Sequence, residues 1–501
     1  MSNLLFDALM NQHAGSARDC LILGNGTRIS YDEIYRLSGR LANLLVAEGV
    51  VPGDRVAVQV EKSPEALALY LATIRAGAVF LPLNTAYTPA EIAYFVGDAE
   101  PALVVCDPAR EARRAEFRPE GKLLTLGADG TGSLMDAAAA HGVDHAPVSR
   151  SGGDLAAILY TSGTTGRSKG AMLSQDNLLS NARTLVDAWR FSADDVLLHA
   201  LPIFHTHGLF VASNVLMLAG GAMIWLPKFD AAQVIALLPQ ATTMMGVPTF
   251  YTRLLDREDF TRDLVGDMRL FTSGSAPLLA ETHREFEART GHRILERYGM
   301  TETNMNTSNP YEGERKAGTV GFPLPGVGLR IVGEDGAELP QGEIGMIEVR
   351  GSNVFQGYWR MPEKTAEELG ADGWFKTGDL GLIDAEGYVS IVGRGKDLII
   401  SGGFNIYPKE VELLIDEMPG VLESAVIGVP HPDFGEGVVA IVARSRGSEP
   451  DPQAILGGLA DRLAKFKQPK KVIVVDVLPR NTMGKVQKAA LRAEHGKLFA
   501  N

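Results

Sequence analysis

Hydrophobic and polar positions along this chain switch repeatedly between two periods. Residues 31–49 (YDEIYRLSGRLANLLVAEG) and 65–77 (EALALYLATIRAG) repeat apolar positions at the helical spacing, whereas 55–61 (RVAVQVE) alternates and 102–107 (ALVVCD) is a short apolar run suited to a buried strand. The alternation over 4–114 predicts βαβ units around a mostly parallel sheet. Residues 115–142 carry a weaker pattern and are expected at the periphery. An apolar strand from Leu155 is followed by a helix predicted over 175–189 and by four apolar runs, VLLHALPIF, GAMIWLPKF, TTMMGVPTF and MRLFTSGSAPL, each punctuated by Pro, Gly or Ser. Ligands of open α/β sheets collect at the carboxyl ends of strands, so chemistry is expected where these runs end. Toward the C-terminus come shorter elements, ESAVIGVPH, GEGVVAIVARS, the helix-like QAILGGLADRLAKF, and KKVIVVDVLP.

The strand from Leu155 empties into YTSGTTGRSKG, a stretch suited to phosphate. Thr161, Ser162, Thr164 and Thr165 supply hydroxyls, Gly163, Gly166 and Gly170 let the backbone approach an oxyanion, and Arg167 and Lys169 add positive charge. Successive N–H groups in such a turn form an anion-binding concavity, and a charged acceptor strengthens each contact. Small-residue clusters are more often solvated turns, but two cations following so apolar a strand favour a phosphate loop. It is not the common P-loop, because Lys169 is followed by Gly170 and not by Ser or Thr.

Composition narrows the picture. A chain of 501 residues exceeds one ordinary core, so two or more domains are expected. The formal charge of −13 argues against general affinity for nucleic acid or anionic membranes, so an anionic ligand must be drawn by a local cluster of Arg and Lys. Cys20 and Cys106 are expected to be buried free thiols, as suits a reducing cytoplasm. The N-terminal stretch lacks a signal pattern and no apolar run reaches membrane-spanning length, so a cytoplasmic protein is expected.

The string YTSGTTGRSKG resembles the phosphate loop of the acyl-adenylate-forming enzymes, which include acyl-CoA synthetases, peptide-synthetase adenylation domains and luciferases. Further segments follow in that family's order: HALPIFHTHG, RLFTSGSAPL, RILERYGMTETN, TGDLG, GRGKD, SGGFNIYP and NTMGKVQK. The resemblance implies a large N-terminal domain (1–395) of mixed or parallel sheets layered with helices, with the ATP and acyl sites, and a small mobile α+β lobe (396–501) hinged at Lys396. It implies catalytic roles for Lys485, Glu302 and His205. ATP would be held by Thr161 to Gly166, Lys169, Ser275, Ala276, Pro277, Glu296, Arg297, Tyr298, Gly299, Met300, Thr301, Asp379 and Arg394, with Asp379 on the ribose hydroxyls. Mg²⁺ would sit on Glu302 and Thr161, and coenzyme A would pass Ser401, Gly402 and Gly403. Because one ammonium carries so much of the adenylation step, a lysine acetyltransferase and deacetylase acting on Lys485 are expected regulatory partners.

The acid to be activated is narrowed by two arginines beside pocket-forming segments, Arg253 after GVPTFYT and Arg297 before YGMTE. A cation in an apolar pocket is costly unless an anion meets it, which favours a substrate with a second carboxylate. The wording of these segments resembles most closely one subgroup, the malonyl-CoA synthetases, which implies that Arg253, Ser275, Arg297 and His207 hold the distal carboxylate of malonate, with methylmalonate a second substrate. The alternatives are a ligase for another short acid with structural arginines (Arg297 pairing with Glu296 or Asp379), an adenylation enzyme loading a carrier protein, and a nucleotide-binding regulator. The last has no need of Lys485.

Overall fold

The computed structural model describes residues 3–111, 122–161, 168–401, 404–460, 462–481 and 484–499. Among them, the alternating N-terminal pattern folds as expected into a six-stranded sheet, in the order Lys122–Thr125, Leu103–Cys106, Arg55–Gln59, Val79–Pro82, Leu155–Thr161, Lys169–Ser174. All neighbours are parallel except the last pair, whose antiparallel strands flank the phosphate loop. The weakly patterned region supplies the edge strand Lys122–Thr125, so it is peripheral. Helix Tyr31–Ala47 starts with a capping box, Ser30 and Glu33 satisfying each other's backbone N–H groups. Helix Pro64–Arg75 is buried from Ala66 to Arg75, the condition of a helix apolar on all sides.

A second sheet of nine strands takes up the four later apolar runs. Val196–His199, Ala222–Trp225, Thr243–Gly246 and Leu270–Ser273 lie parallel, and Leu295–Met300 extends them. Their carboxyl ends share one edge. The early hairpin Asp19–Leu23 and Arg28–Ser30 joins the far side of this sheet, against Ala222–Trp225, instead of the strands nearest in sequence. One core binds the two sheets: Val56 and Val58 of the first and Leu21, Leu197 and Met223 of the second pack with Leu41, Leu45, Leu67 and Leu71 of the two helices.

An antiparallel sheet of four strands, Gly328–Val332, Gly345–Arg350, Phe375–Ile383 and Val389–Arg394, is not visible in the periodicity. The turn Gly395–Asp397 then leads into a C-terminal sheet containing Ile399–Ser401, Val421–His431, Gly435–Arg444 and Lys471–Val475, backed by helices Pro408–Asp416 and Pro452–Ala460. The second of these is shorter than the run QAILGGLADRLAKF suggests. Gly457 and Gly458 weaken it, and Leu463 turns back into the lobe's core. Cys20 and Cys106 are buried free thiols. No helix among the described residues is long and apolar enough to cross a membrane.

Candidate active site

The site lies along the carboxyl edge of the nine-stranded sheet, facing the four-stranded sheet and the C-terminal lobe. At one end Asp379 is buried in strand Phe375–Ile383, opposite Arg394 across an antiparallel pair. Its Oδ1 is 2.7 Å from Arg394 Nε, and its Oδ2 accepts a 2.5 Å bond from the Tyr298 hydroxyl. The carboxylate is thus held from both sides by groups from two other strands. Asp379 is no turn residue, and it is engaged by Arg394 and not by Arg297.

In the middle sits Glu302, 5% exposed, in the turn after Leu295–Met300. The Tyr358 and Thr161 hydroxyls stand 3.1 and 3.5 Å from its Oε1. Burial pushes this carboxyl above its usual range, while Lys169 and Arg394 pull it back. No ion pair neutralises it among the described residues. Ser162, Gly163, Thr164, Thr165, Gly166 and Arg167 lie outside the described residues. Lys169 is described, and a carboxylate meets its ammonium. Its ammonium bonds both oxygens of Glu368 (2.9 and 3.1 Å) and rests 4.1 Å from the centroid of the Tyr358 ring. Tyr358 also bonds Glu368 at 2.6 Å, so a Lys169, Glu368, Tyr358 and Glu302 chain braces the phosphate end. Tyr358 and Glu368 carry no signal in sequence, because only the fold brings them beside Glu302.

At the other end is a buried polar cluster. Arg297 is 3% exposed, and its Nε and Nη2 have no partner among the described residues. Burial lowers its pKa to about 9, which leaves it charged at neutral pH. Its guanidinium lies where a side chain at Gly274 would have to go, so only glycine fits there. Ser275 follows in the left-handed region (φ 70°), a strained conformation for serine that turns its hydroxyl to within 3.2 Å of His207 Nδ1. His207 Nε2 is buried and without a partner, as is the Thr206 hydroxyl. The backbone N–H of His207 donates to His205 Nδ1 at 3.2 Å. Burial drives both imidazoles far toward the neutral form, His205 to about 3, with Arg297 adding to the effect on each. With Nδ1 accepting, the proton of neutral His205 belongs on Nε2. Neither histidine brings a cation to the site, and the buried charge belongs to Arg297.

Arg253 does not join this cluster. It is exposed in the last turn of helix Pro248–Leu255, so the desolvation argument applies to Arg297 alone, and two guanidinium groups do not form a buried fork. Glu296, the other candidate partner for Arg297, instead accepts from the backbone N–H of Leu278 at 3.2 Å, and burial raises its pKa to about 8. Ala276 and Pro277 continue the turn after Ser275, and Gly299, Met300 and Thr301 are half-buried.

Lys485 closes the cleft from the C-terminal lobe. Its loop is tied by Asn481, whose N–H donates to the Lys485 carbonyl (2.9 Å) and whose Oδ1 accepts from the Lys485 N–H (2.9 Å). A side chain at Gly484 would touch Thr249 at 3.4 Å, which places the loop against the start of helix Pro248–Leu255. Lys485 keeps accessible surface, yet protein surrounds its ammonium: burial lowers its pKa, Arg394 and Arg297 act in the same direction, and Asp379 and Glu302 oppose them. These four charges mark both ends of the site, so the ammonium stands between them. Lys396 lies in the turn Gly395–Asp397, where Asp397 pairs with Arg492. Ser401 is a buried strand residue paired with Phe404 and Gly435; Gly402 and Gly403 lie outside the described residues.

The chain resembles the ATP-bound crystal structure of MatB from Rhodopseudomonas palustris, with 61% identity over 100% of both chains and a TM-score of 0.97. Against the apo form of that protein the score is 0.86. Among curated relatives, the indoleacetate–CoA ligase of Aromatoleum aromaticum is 37% identical over 93% of this chain and 92% of its own length. The malonate–CoA ligase of Arabidopsis thaliana is 32% identical over 97% of this chain and 88% of its own. The family described as AMP-binding enzyme matches residues 10–359, and its C-terminal domain matches 410–485. Since the first match alone spans well over half of the chain and takes in the strand ends that form the cleft, this protein belongs to the AMP-binding enzyme family.

Proposed function

We propose that the protein is a malonate–CoA ligase, which joins malonate to AMP at the expense of ATP and then passes the malonyl group to coenzyme A, releasing AMP. The observation that carries this reading is the buried Arg297, whose Nε and Nη2 have no partner among the described residues and which lies beside Gly274 and near His207. An uncompensated guanidinium costs several kcal/mol of desolvation, a cost relieved when a carboxylate takes both N–H groups. A substrate with a second carboxylate fits that demand. A monoacid leaves it unmet. Similarity to MatB and to a malonate–CoA ligase points the same way.

With its distal carboxylate on Arg297, malonate extends its other carboxylate toward Lys485. The ribose of ATP lies on Asp379 and Arg394, and the phosphates lie between Glu302 and the loop after Thr161. Glu302, with the Thr161 hydroxyl, would hold Mg²⁺, which when bound offsets the charge of the phosphates. A buried carboxylate lacking an ion pair suits that task, and a hard cation needs no larger protein cage when phosphates and waters complete its shell. The carboxylate oxygen attacks the α-phosphorus, the bond to the bridging oxygen breaks, and pyrophosphate departs. Lys485 stabilises the charge that gathers between the reactants. The thiol of CoA then attacks the malonyl carbonyl and expels AMP, after rotation about Lys396 has withdrawn Lys485 and brought Ser401, Gly402 and Gly403 to the cleft. The closer likeness to the ATP-bound than to the apo neighbour supports the present conformation as the adenylating one.

AMP release with ATP, Mg²⁺ and CoA, measured across malonate, methylmalonate, succinate, acetate, propionate and octanoate, tests the reading. Malonate is expected to lead, with methylmalonate within about 10- to 200-fold, since one methyl group is worth about 1–3 kcal/mol. A lead for acetate or propionate would return Arg297 to a structural role. Asp379→Asn keeps the shape but loses the charge that receives the ribose hydroxyls. It is expected to raise KM for ATP about tenfold or more, with KM for malonate little changed.

A further inference from the structure

Lys62 lies outside the cleft, in the loop between strand Arg55–Gln59 and helix Pro64–Arg75, and is 5% exposed. So deep a lysine is ordinarily paired with a carboxylate, yet no ion pair forms with it among the described residues. Its Nζ donates to His199 Nδ1 at 2.8 Å and to the His199 carbonyl at 2.7 Å, and it rests 4.1 Å from the centroid of the Trp225 ring. Three N–H donors thus meet a ring nitrogen, a carbonyl and a π face.

The consequence falls on His199. With Nδ1 accepting, its proton sits on Nε2, which is 2.9 Å from the Gly208 carbonyl and 3.2 Å from the Ser213 hydroxyl; that hydroxyl also donates to the Gly208 carbonyl at 2.9 Å. Gly208 and Ser213 belong to the π-helix His207–Ser213, a wide turn of poor intrinsic stability that is frequent at functional sites. Its first residue is His207, whose Nδ1 lies 3.2 Å from the Ser275 hydroxyl and whose buried Nε2 has no partner among the described residues.

We propose that Lys62 is a positioning residue for the acyl pocket, holding His199 so that His199 fixes the π-helical turn that presents His207 to the substrate's distal carboxylate. The proposal rests on the pocket's assignment to an acid with a second carboxylate. If Lys62 merely filled space, methionine of similar length would serve as well or better, because a buried charge without a counter-ion stabilises nothing by itself.

The test is a double-mutant cycle on the full-length enzyme, with KM for malonate and for ATP read by AMP release. Lys62→Met is expected to raise KM for malonate about tenfold, the scale seen when groups supporting a binding shell are lost, while KM for ATP moves less than about twofold. Lys62→Met added to His207→Ala is expected to cost no more than His207→Ala alone, because both act through one side chain. Additive effects, parallel rises in both KM values, or no change with malonate would each overturn the proposal. If Lys62→Met does not fold, Lys62→Gln, which keeps a donor, goes through the same cycle. If the wild-type enzyme prefers another acid, the malonate reading fails, and Lys62 is judged with that acid by the same non-additivity.

Discussion

Lys485→Ala is expected to slow acyl-adenylate formation about 10²- to 10³-fold, the usual loss when one preorganised charge donor leaves a transition state. Pyrophosphate exchange reads this step. Conversion of supplied malonyl-AMP and CoA to the thioester, which follows withdrawal of the lysine, should change far less. The split arises from geometry: the ammonium lies among Asp379, Glu302, Arg394 and Arg297, where reactant charges meet before AMP is joined. Equal loss of both steps would point to general damage to the lobe. Acetylation of Lys485 removes the same charge and should reproduce the exchange defect. A pH effect follows as well. Burial and the neighbouring arginines lower the Lys485 pKa, so the ammonium is lost at lower pH than from a free lysine. The alkaline decline of the exchange rate should therefore begin below the ordinary lysine range near 10.4.

Arg297→Met is expected to raise KM for malonate about 100-fold, near 3 kcal/mol, through loss of a charged, two-pronged contact. Propionate, lacking the second carboxylate, should lose little, so the preference for malonate over propionate should collapse. The same variant should melt at an equal or higher temperature than the wild type. At neutral pH Arg297 is charged in both the folded and unfolded states, and its lowered pKa means that the folded state bears a desolvation cost below about pH 9, which lessens only as pH rises above that value. Methionine removes the cost. A lower melting temperature together with an unchanged acid preference would identify Arg297 as structural.

Much of this was legible before the fold. The helical period of 31–49, the apolar runs ending at His199, Gly246 and Ser273, and the punctuation after each place strands and the ends where ligands gather, because a strand's register and its breakers are local properties. Motif order pointed to Asp379, Glu302, Arg297 and Lys485, and the structure brings all four around one cleft. The exposure of Arg253 was not legible in sequence. Proximity to a pocket-forming strand does not say which face of the next helix a residue takes, and in helix Pro248–Leu255 Arg253 falls on the exposed face.

The chain's local order by itself determined an α/β protein, an apolar strand running into a phosphate-suited loop, an arginine directly before YGMTE and a lysine near the C-terminus, since each depends on neighbouring residue types. Tertiary structure alone decided the partners. It gave Lys169 to Glu368, Asp379 to Arg394 and Tyr298, and Lys62 to His199 across 137 residues of chain, while leaving Arg297 Nε and Nη2 without a partner among the described residues. Each group's charge is written in sequence, but whether that charge is met, shielded or left open for a ligand depends on which distant strand ends share an edge.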